Sequence, residues 1–419
     1  MFYNGRMPVD VSQLIQQLSR MTAQAGTARE WRETRIAELR RVFEAGHDAT
    51  FIAAAQATID NLPGNRWSSA VFDAGEPLNQ WHAVARDAEP EQYALVATDG
   101  SQIMADRHKA VLYAAIQVAG ICIVYGAASS SVAVQKAVKE TEQKPLRILG
   151  EDELYDEITG ELIPPGDISN ERDLLEIELL ATLCERFRAA DLQPIAVADG
   201  SLVPFSLLNE PFVRNNPGRA AAQLERVSRA LDRMRRSEAI VAGYIDRPNS
   251  NTIARACALA DLTADVLGDE ARLTSALSKL GQNMRGITDR ALLEDLLPYD
   301  YRTALFKPAW LINSPAYLGQ AGHTMYGCYL VVGPREKTII RLEVPVWCAS
   351  PDRVEVIASA MLRHTHMGGG YPLCLKAAHE EAVLTHADEQ AIDRAMQRSL
   401  VEQGIVTRPS SKQEAKERR

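Results

Sequence analysis

Two Asp-Gly-Ser triplets are the residues of this chain best suited to chemistry. Each closes an apolar, strand-like run: Tyr93-Ala-Leu-Val-Ala-Thr leads to Asp99-Gly100-Ser101, and Pro194-Ile-Ala-Val-Ala leads to Asp199-Gly200-Ser201. A carboxylate at the end of a buried strand is rigid and desolvated, so two on neighbouring strands attract a divalent cation. One triplet alone is a weak indication, because Asp-Gly after a strand is commonly a turn.

A third carboxylate, Glu176, lies on a predicted helix that Asn170 caps and that runs to about Ala190. Glu178 and Glu185 point away from the apolar face of this helix, whereas Glu176 lies at its centre. That face is formed by Leu180, Leu183, Cys184 and Phe187. A carboxylate there is costly unless it is paired or bound to metal, so Glu176 is a candidate ligand. The equally weighted alternative is an ion pair with Arg172, one turn earlier.

A late histidine, His379, preceded by Tyr371-Pro372, completes a set of three carboxylates and one imidazole. The carboxylates suit one or two Mg²⁺ or Mn²⁺ ions, and an imidazole can bind Mn²⁺ or move protons. Such ions activate water and stabilise the leaving oxygen in phosphodiester hydrolysis. Taken alone, His379 is more readily explained as an ordinary residue of a helix face.

Residues 211–238 are the most basic part of the chain, and they include Arg235 and Arg236 near their end. An Arg-rich amphipathic helix lines a DNA groove, faces an acidic partner or simply presents a solvated surface, and the sequence does not separate these readings. Arg247 follows the predicted strand 240–245, where it is placed to contact a phosphate or to form a structural ion pair.

Composition excludes several classes of protein. The chain has 419 residues, 46% of them hydrophobic, and a net charge of −9, which argues against general affinity for nucleic acid but not against a local basic channel. The six cysteines form no C-x-x-C pair and are expected to be buried thiols. Because no segment is apolar enough to cross a bilayer and residues 1–10 do not resemble a signal peptide, we expect a cytoplasmic protein.

Periodicity predicts a mixed α/β fold with a helical extension over residues 1–90 and a main domain over 91–404. Within the main domain we expect a partly helical insertion at about 205–300, a hairpin around Gly333-Pro334 and a break at Gly368-Gly-Gly370. The other predicted elements are helical segments over 9–60, 253–297, 354–362 and 373–402 and a strand or hairpin within 110–125. Residues 405–419 are predicted to be a disordered tail.

The order of these motifs resembles the NurA family of DNA-end-processing nucleases over roughly residues 95–388. The resemblance rests on five segments in the family's order. They are Ala97-Thr-Asp99-Gly-Ser101, Arg172-Asp-Leu-Leu-Glu176, Ala198-Asp199-Gly-Ser201, Gly243-Tyr-Ile-Asp-Arg247-Pro248, and Gly370-Tyr371-Pro372 followed by Ala378-His379.

The resemblance implies a ribonuclease-H-like mixed sheet flanked by helices and a metal-dependent 5′–3′ exonuclease or endonuclease that processes DNA ends in double-strand break repair. It implies Mn²⁺ or Mg²⁺ as cofactor, Asp99, Glu176, Asp199 and His379 as ligands and Tyr371 nearby, with Asp99 expected to contact both ions. It also implies a homodimer docked on the hexameric translocase HerA.

Two other classes stay open. A sugar-kinase-like or actin-like ATPase of related fold also uses aspartates at strand ends, but it needs Gly-rich phosphate loops, and Gly368-Gly-Gly370 is a poor candidate for one. A catalytically silent scaffold would bind DNA and a translocase without cutting. The presence of all four candidate groups argues against the scaffold.

Overall fold

The structure is a computed structural model in which residues 11–46, 49–63, 67–72, 79–109, 111–126, 138–143, 145–156, 160–203, 207, 217–308, 322–333 and 337–404 are described. The predicted disordered tail, residues 405–419, lies outside this range. The described residues divide into two compact units, one formed mainly by 1–81 and 248–298 and the other by most of the remaining chain.

Twelve strands occur in the described residues. They are β1 (Ala70–Phe72), β2 (Trp81–Ala83), β3 (Tyr93–Ile103), β4 (Ala114–Tyr125), β5 (Val138–Gln143), β6 (Arg147–Leu149), β7 (Gln193–Asp199), β8 (Ile240–Ile245), β9 (Tyr301–Thr303), β10 (Phe306–Pro308), β11 (Met325–Val332) and β12 (Thr338–Pro345).

Twelve α-helices are found in the same residues. They are α1 (Val11–Glu44), α2 (Ala49–Asp60), α3 (Glu151–Leu154), α4 (Pro165–Ala189), α5 (Pro217–Arg236), α6 (Thr252–Leu259), α7 (Ala264–Leu267), α8 (Glu270–Asn283), α9 (Asp289–Leu293), α10 (Pro351–Met367), α11 (Leu373–Ala382) and α12 (His386–Glu402).

The larger unit is built on a mixed sheet in the order β10-β11-β12-β8-β7-β3-β4-β5, which confirms the predicted mixed α/β class. Strands β3, β7 and β8 run parallel, while β4 and β12 flank them as antiparallel partners. The central strands are almost continuously buried, as expected for a sheet covered on both faces. The carboxyl ends of β3, β7 and β8 therefore meet at one edge of the sheet, because the three strands run in the same direction.

Successive side chains of β3 point to opposite faces of the sheet. Thr98 faces α4, since its hydroxyl donates to the carbonyl of Glu176 at 3.3 Å, whereas Tyr93 lies on the opposite face, where its hydroxyl accepts a hydrogen bond from Arg363 of α10. Gly120 of β4 gives room for α4, because an added Cβ would lie 2.5 Å from a methyl carbon of Leu183. Helix α11 packs against β3 and β4 as well.

The smaller unit is mainly helical and also contains β1. Arg40 of α1 donates to the carbonyl oxygens of Ala291 and Leu292 at the end of α9 and pairs with Asp295 at 2.6 Å. Cations at a helix C-terminus satisfy its last carbonyls, so this contact ties the N-terminal helix to the 252–293 helices.

Most predicted elements are present, with shifted ends. The hairpin of β11 and β12 and strand β8 match the prediction, and the six cysteines are buried and unpaired, as predicted. Helix α4 begins at Pro165 rather than Asn170, because a proline is well tolerated in the first turn. The predicted helix 373–402 is two helices, since Thr385 and Asp388 form a capping box that starts α12 anew.

Three further predicted segments differ in extent. The predicted helical segment 9–60 is divided between α1 and α2, with Gly46 at φ +67° after α1. The predicted helix 354–362 extends over all of α10, and the predicted helical segment 253–297 consists of four shorter helices. No helix among the described residues is both long and apolar enough to span a bilayer.

Candidate active site at the sheet edge

The two Asp-Gly-Ser triplets lie side by side. Strands β3 and β7 pair in parallel up to Thr98 and Ala198, so Asp99 and Asp199 occupy equivalent positions on neighbouring strands about 5 Å apart. Gly200 has φ +99°, a conformation that favours glycine, and its N–H donates to the carbonyl of Tyr244 at 2.8 Å. The sheet therefore holds both carboxylates at its edge, as the sequence predicted.

Glu176 reaches this edge from α4 over a glycine. A Cβ added at Gly100 would lie 2.5 Å from Oε1 of Glu176, so the carboxylate occupies the space that the missing side chain leaves beside Asp99. The side chain of Glu176 is 15% exposed, and its Oε1 lies 3.0 Å from Nε of Arg172 in an ion pair without a formed hydrogen bond. Both proposed environments of Glu176, the apolar face and the pair with Arg172, are thus present.

Burial raises the pKa of Glu176 well above its ordinary value, and the neighbouring carboxylates add to this while Arg172 opposes it. The pKa of Asp199 is raised by burial as well; a hydrogen bond from Tyr371 lowers it, and Asp99 and Asp246 raise it. Burial is the largest cause of both shifts and the neighbouring carboxylates add to it, so the charged forms of these acids are poorly stabilised by their surroundings. A bound cation would stabilise the charged forms.

Tyr371, which lies between α10 and α11, and His379, which lies on α11, contact the two aspartates. The hydroxyl of Tyr371 donates to Oδ1 of Asp199 at 2.9 Å, and its ring packs edge-on against Tyr244 at 5.6 Å between centroids. Nδ1 of His379 lies 2.7 Å from Oδ2 of Asp99, with the histidine side chain 64% exposed. The structure therefore brings together residues that are 280 positions apart in the chain.

The serine of each triplet forms a hydrogen bond with a segment that is distant in the chain. The hydroxyl of Ser101 accepts a hydrogen bond at 3.0 Å from the N–H of Leu384, just after the helix that carries His379. The hydroxyl of Ser201 donates to the buried carboxylate of Glu343 on β12, which also pairs with Arg341. These contacts fix the backbone on which the acidic residues stand.

A pocket of about 510 Å³ opens at the sheet edge, with Asp99, Glu176 and Asp199 in its wall beside Arg172 and Asp173. Its donor set of oxygen ligands fits Mg²⁺ or Mn²⁺, and the buried Oε1 of Glu176 lacks a hydrogen bond.

Among the described residues, however, no three such side chains are already gathered around one ion position. Instead, Asp99 contacts His379, Asp199 contacts Tyr371 and Glu176 contacts Arg172. The chemistry of the site fits the metal, and binding requires these side chains to exchange partners.

The structure separates Glu176 from its acidic neighbours on α4. Glu178 accepts hydrogen bonds from Arg226 at 2.8 and 3.1 Å, and Glu185 binds Arg233 at 2.6 Å. The acidic partner of these two arginines of α5 is therefore α4 of the same chain. Of the three glutamates, Glu176 is the one that lines the pocket.

The predicted DNA-binding arginines do not lie together. Arg247 follows β8 at the same sheet edge as Asp199, with its side chain 77% exposed and φ +45°. Arg235 and Arg236 are exposed at the end of α5, shortly before β8 begins, so they lie at the opposite end of the parallel strands. Their role in binding DNA stays a prediction.

Sequence reasoning missed two functional features of the site. The sequence indicates Arg172 only as an ion-pair partner of Glu176, whereas in the structure it also lines the pocket. The sequence indicates a turn at Gly100, whereas in the structure this glycine provides the space for Glu176. The signal for Arg172 was its spacing of four residues from Glu176, whereas nothing in the sequence showed which helix would pack over Gly100.

The chain matches the family model described as the NurA domain over residues 93–384. It matches no curated protein. Among solved structures it is similar to the NurA nuclease from Sulfolobus solfataricus, with 12% identity, coverage of 77% of this chain and 88% of the other, and a TM-score of 0.43. It is also similar to NurA bound to dAMP and manganese, with 12% identity, coverage of 78% and 90%, and a TM-score of 0.35.

Proposed function

We propose that this chain, which belongs to the NurA family, is a metal-dependent nuclease that hydrolyses phosphodiester bonds of DNA. The observation that carries the proposal is the convergence of Asp99, Asp199 and Glu176 on one pocket, beside Tyr371 and His379. Three oxygen-donor side chains and an imidazole at one sheet edge suit phosphodiester hydrolysis.

Asp99, Glu176 and Asp199 would hold Mn²⁺ or Mg²⁺, and a relative of the family has been solved with manganese. When bound, the ion would activate water and stabilise the leaving oxygen. The Nδ1 contact of His379 with Asp99 leaves the other ring nitrogen available, either to bind the metal or to move a proton. Tyr371 orients Asp199 through the hydroxyl hydrogen bond.

We further propose a ribonuclease-H-like core, since the strand of the first aspartate lies between antiparallel β4 and parallel β7. Asp99, on this central strand, remains our candidate for a ligand shared by two ions. Family membership also supports 5′–3′ processing of DNA ends in double-strand break repair, which we place in the cytoplasm. It further supports a homodimer that works with a HerA-type translocase. Co-purification with such a translocase, and the mass of the free protein in solution, test these two partnerships.

The glycine run 368–370, which was the only candidate for the phosphate loop of an ATPase, has a structural role in the described residues. Gly369 and Gly370 have positive φ, and the N–H of Gly370 donates to the carbonyl of Thr365. This glycine run therefore ends α10 and satisfies its last carbonyls, rather than forming a loop around phosphate.

The test is cleavage of end-labelled linear DNA by the pure protein with Mn²⁺, Mg²⁺ or EDTA. We expect metal-dependent cutting that Asp99→Asn and Asp199→Asn abolish while the fold stays intact. Asp191→Asn is the matched control, because Asp191 is exposed at the other end of β7 and its φ of +59° suits asparagine. Metal-dependent cutting that survives in both site variants would contradict the site, and a protein that binds DNA but never cuts would support the scaffold reading.

A further inference from the structure

Arg172 is the single basic side chain among the described residues that line the active-site pocket. The same wall carries four carboxylates, those of Asp99, Asp173, Glu176 and Asp199. A pocket that accepts a polyanion such as DNA needs positive charge besides the metal ion. Arg172 is the group placed to provide it.

The guanidinium of Arg172 is held by one edge. Its Nε lies 3.0 Å from Oε1 of Glu176 and donates to Oδ1 of Asp173 at 3.2 Å, and its Nη2 donates to the same Asp173 oxygen at 2.6 Å. Its Nη1 makes no hydrogen bond to the described residues, and the side chain is 30% exposed. The aliphatic stem passes over Gly100, where an added Cβ would lie 2.8 Å from Cγ. The group is fixed beside Asp99 with donors still available.

A divalent cation and Arg172 compete for the same oxygen of Glu176. When a cation takes that carboxylate, the guanidinium loses Glu176 but stays hydrogen-bonded to Asp173 through Nε and Nη2. Its Nη1 and the second N–H of Nη2 then form a pair of donors available to the pocket. Such a fork matches two phosphate oxygens, in a geometry that lysine cannot reproduce.

We propose that Arg172 binds a backbone phosphate of the DNA in the active site and, without metal, takes the place of the cation on Glu176. This inference rests on the proposed nuclease function. It assigns to Arg172 a substrate contact beyond its ion pair with Glu176.

The test is binding of a fluorescently labelled DNA oligonucleotide by the full-length protein over a series of salt concentrations, with Ca²⁺ as the divalent cation. We expect Arg172→Gln to bind about tenfold more weakly and to lower the salt slope by about one, as for the loss of one phosphate contact. Arg172→Lys keeps the charge and is expected to keep the slope while binding less tightly. Arg186→Gln, on the same helix but paired with Glu142, is the matched control and should bind as wild type does.

A second measurement separates phosphate binding from mere positioning of Glu176. Calorimetric titration of Mn²⁺ without DNA should show that Arg172→Gln binds the metal as tightly as wild type or more tightly, because a competing cation is gone. A loss of Mn²⁺ affinity with an unchanged salt slope would overturn the proposal in favour of positioning.

The remaining outcomes are equally decisive. Wild-type affinity and slope in Arg172→Gln would overturn the proposal while leaving the nuclease function intact, and so would a lost slope in Arg172→Lys. If wild-type protein itself shows no salt-dependent DNA binding, the proposed function fails first, and this inference fails with it.

Discussion

Replacing Gly100 by alanine tests how Glu176 reaches the active site. The added Cβ would lie 2.5 Å from Oε1 of Glu176 and 2.8 Å from Cγ of Arg172. Both neighbours are constrained, since Glu176 is buried and Arg172 is bonded to Asp173. One of them has to move.

The size of the movement follows from the contact distance. Ordinary contact begins at 3.4 Å, so the carboxylate must retreat from 2.5 Å by about 0.9 Å. A displacement of about 1 Å in a catalytic group costs on the order of 10²-fold in rate. Crowding of this kind costs about 1–3 kcal/mol in the free energy of unfolding, so the variant should still fold.

The assay is single-turnover cleavage of labelled DNA with Mn²⁺, together with thermal unfolding followed by circular dichroism. Gly166→Ala, in the first turn of α4, is the matched control, because an added Cβ there meets nothing within 4 Å. We expect Gly100→Ala to lose about 10²-fold in rate and Gly166→Ala to lose none.

We also expect the effects of Gly100→Ala and Glu176→Gln on the cleavage rate to be non-additive. Because Gly100→Ala acts through Glu176, the double variant with Glu176→Gln should be no slower than Glu176→Gln alone. A wild-type rate in Gly100→Ala, or additive losses in the double variant, would refute the idea that this glycine exists to admit Glu176.

Three further changes have expected outcomes. The side chain of Lys109 is 8% exposed, and its Nζ lies 2.6 Å from Oε1 of Glu389 and lowers the pKa of that acid. The pair therefore stabilises the folded state at neutral pH, and this stabilisation is lost as the pH falls through the folded pKa of Glu389. Lys109→Met should therefore cost about 2 kcal/mol in urea unfolding at pH 7 and much less at pH 3, and an equal cost at both would contradict this. Burial raises the pKa of Asp199 and the Tyr371 hydroxyl opposes it, so Tyr371→Phe should slow cleavage about tenfold and move the acidic limb of its pH–rate profile upwards. Arg226→Met removes charged hydrogen bonds to α4 and should lower stability by about 1–3 kcal/mol, seen as a lower thermal midpoint, without changing the cleavage rate at low temperature.

The aspartates could be predicted from sequence because strand patterns and their ends are local signals. The same holds for Glu176, whose place on the apolar face of α4 follows from helical periodicity alone. The division of the predicted helix 373–402 into two helices was also predictable, because Thr385-His-Ala-Asp388 is a capping-box sequence that marks the start of a new helix.

Long-range packing was beyond the sequence. Nothing local indicates that Arg226 binds Glu178 rather than DNA, because a charged helix face looks the same whether it meets solvent, nucleic acid or another helix. His379 became a site residue through the family resemblance. Its contact with Asp99 depends on how α11 packs on the sheet, which Ser101 and Leu384 fix across a separation of 283 residues.

The most direct test of the central claim is a crystal structure grown with Mn²⁺ and measured at the manganese absorption edge. We expect an anomalous peak at the ends of β3 and β7, from a Mn²⁺ ion bound by Asp99, by Asp199 and by Glu176 released from Arg172. A Mn²⁺ ion bound elsewhere, with Glu176 still paired to Arg172 in a protein that cuts DNA, would contradict it.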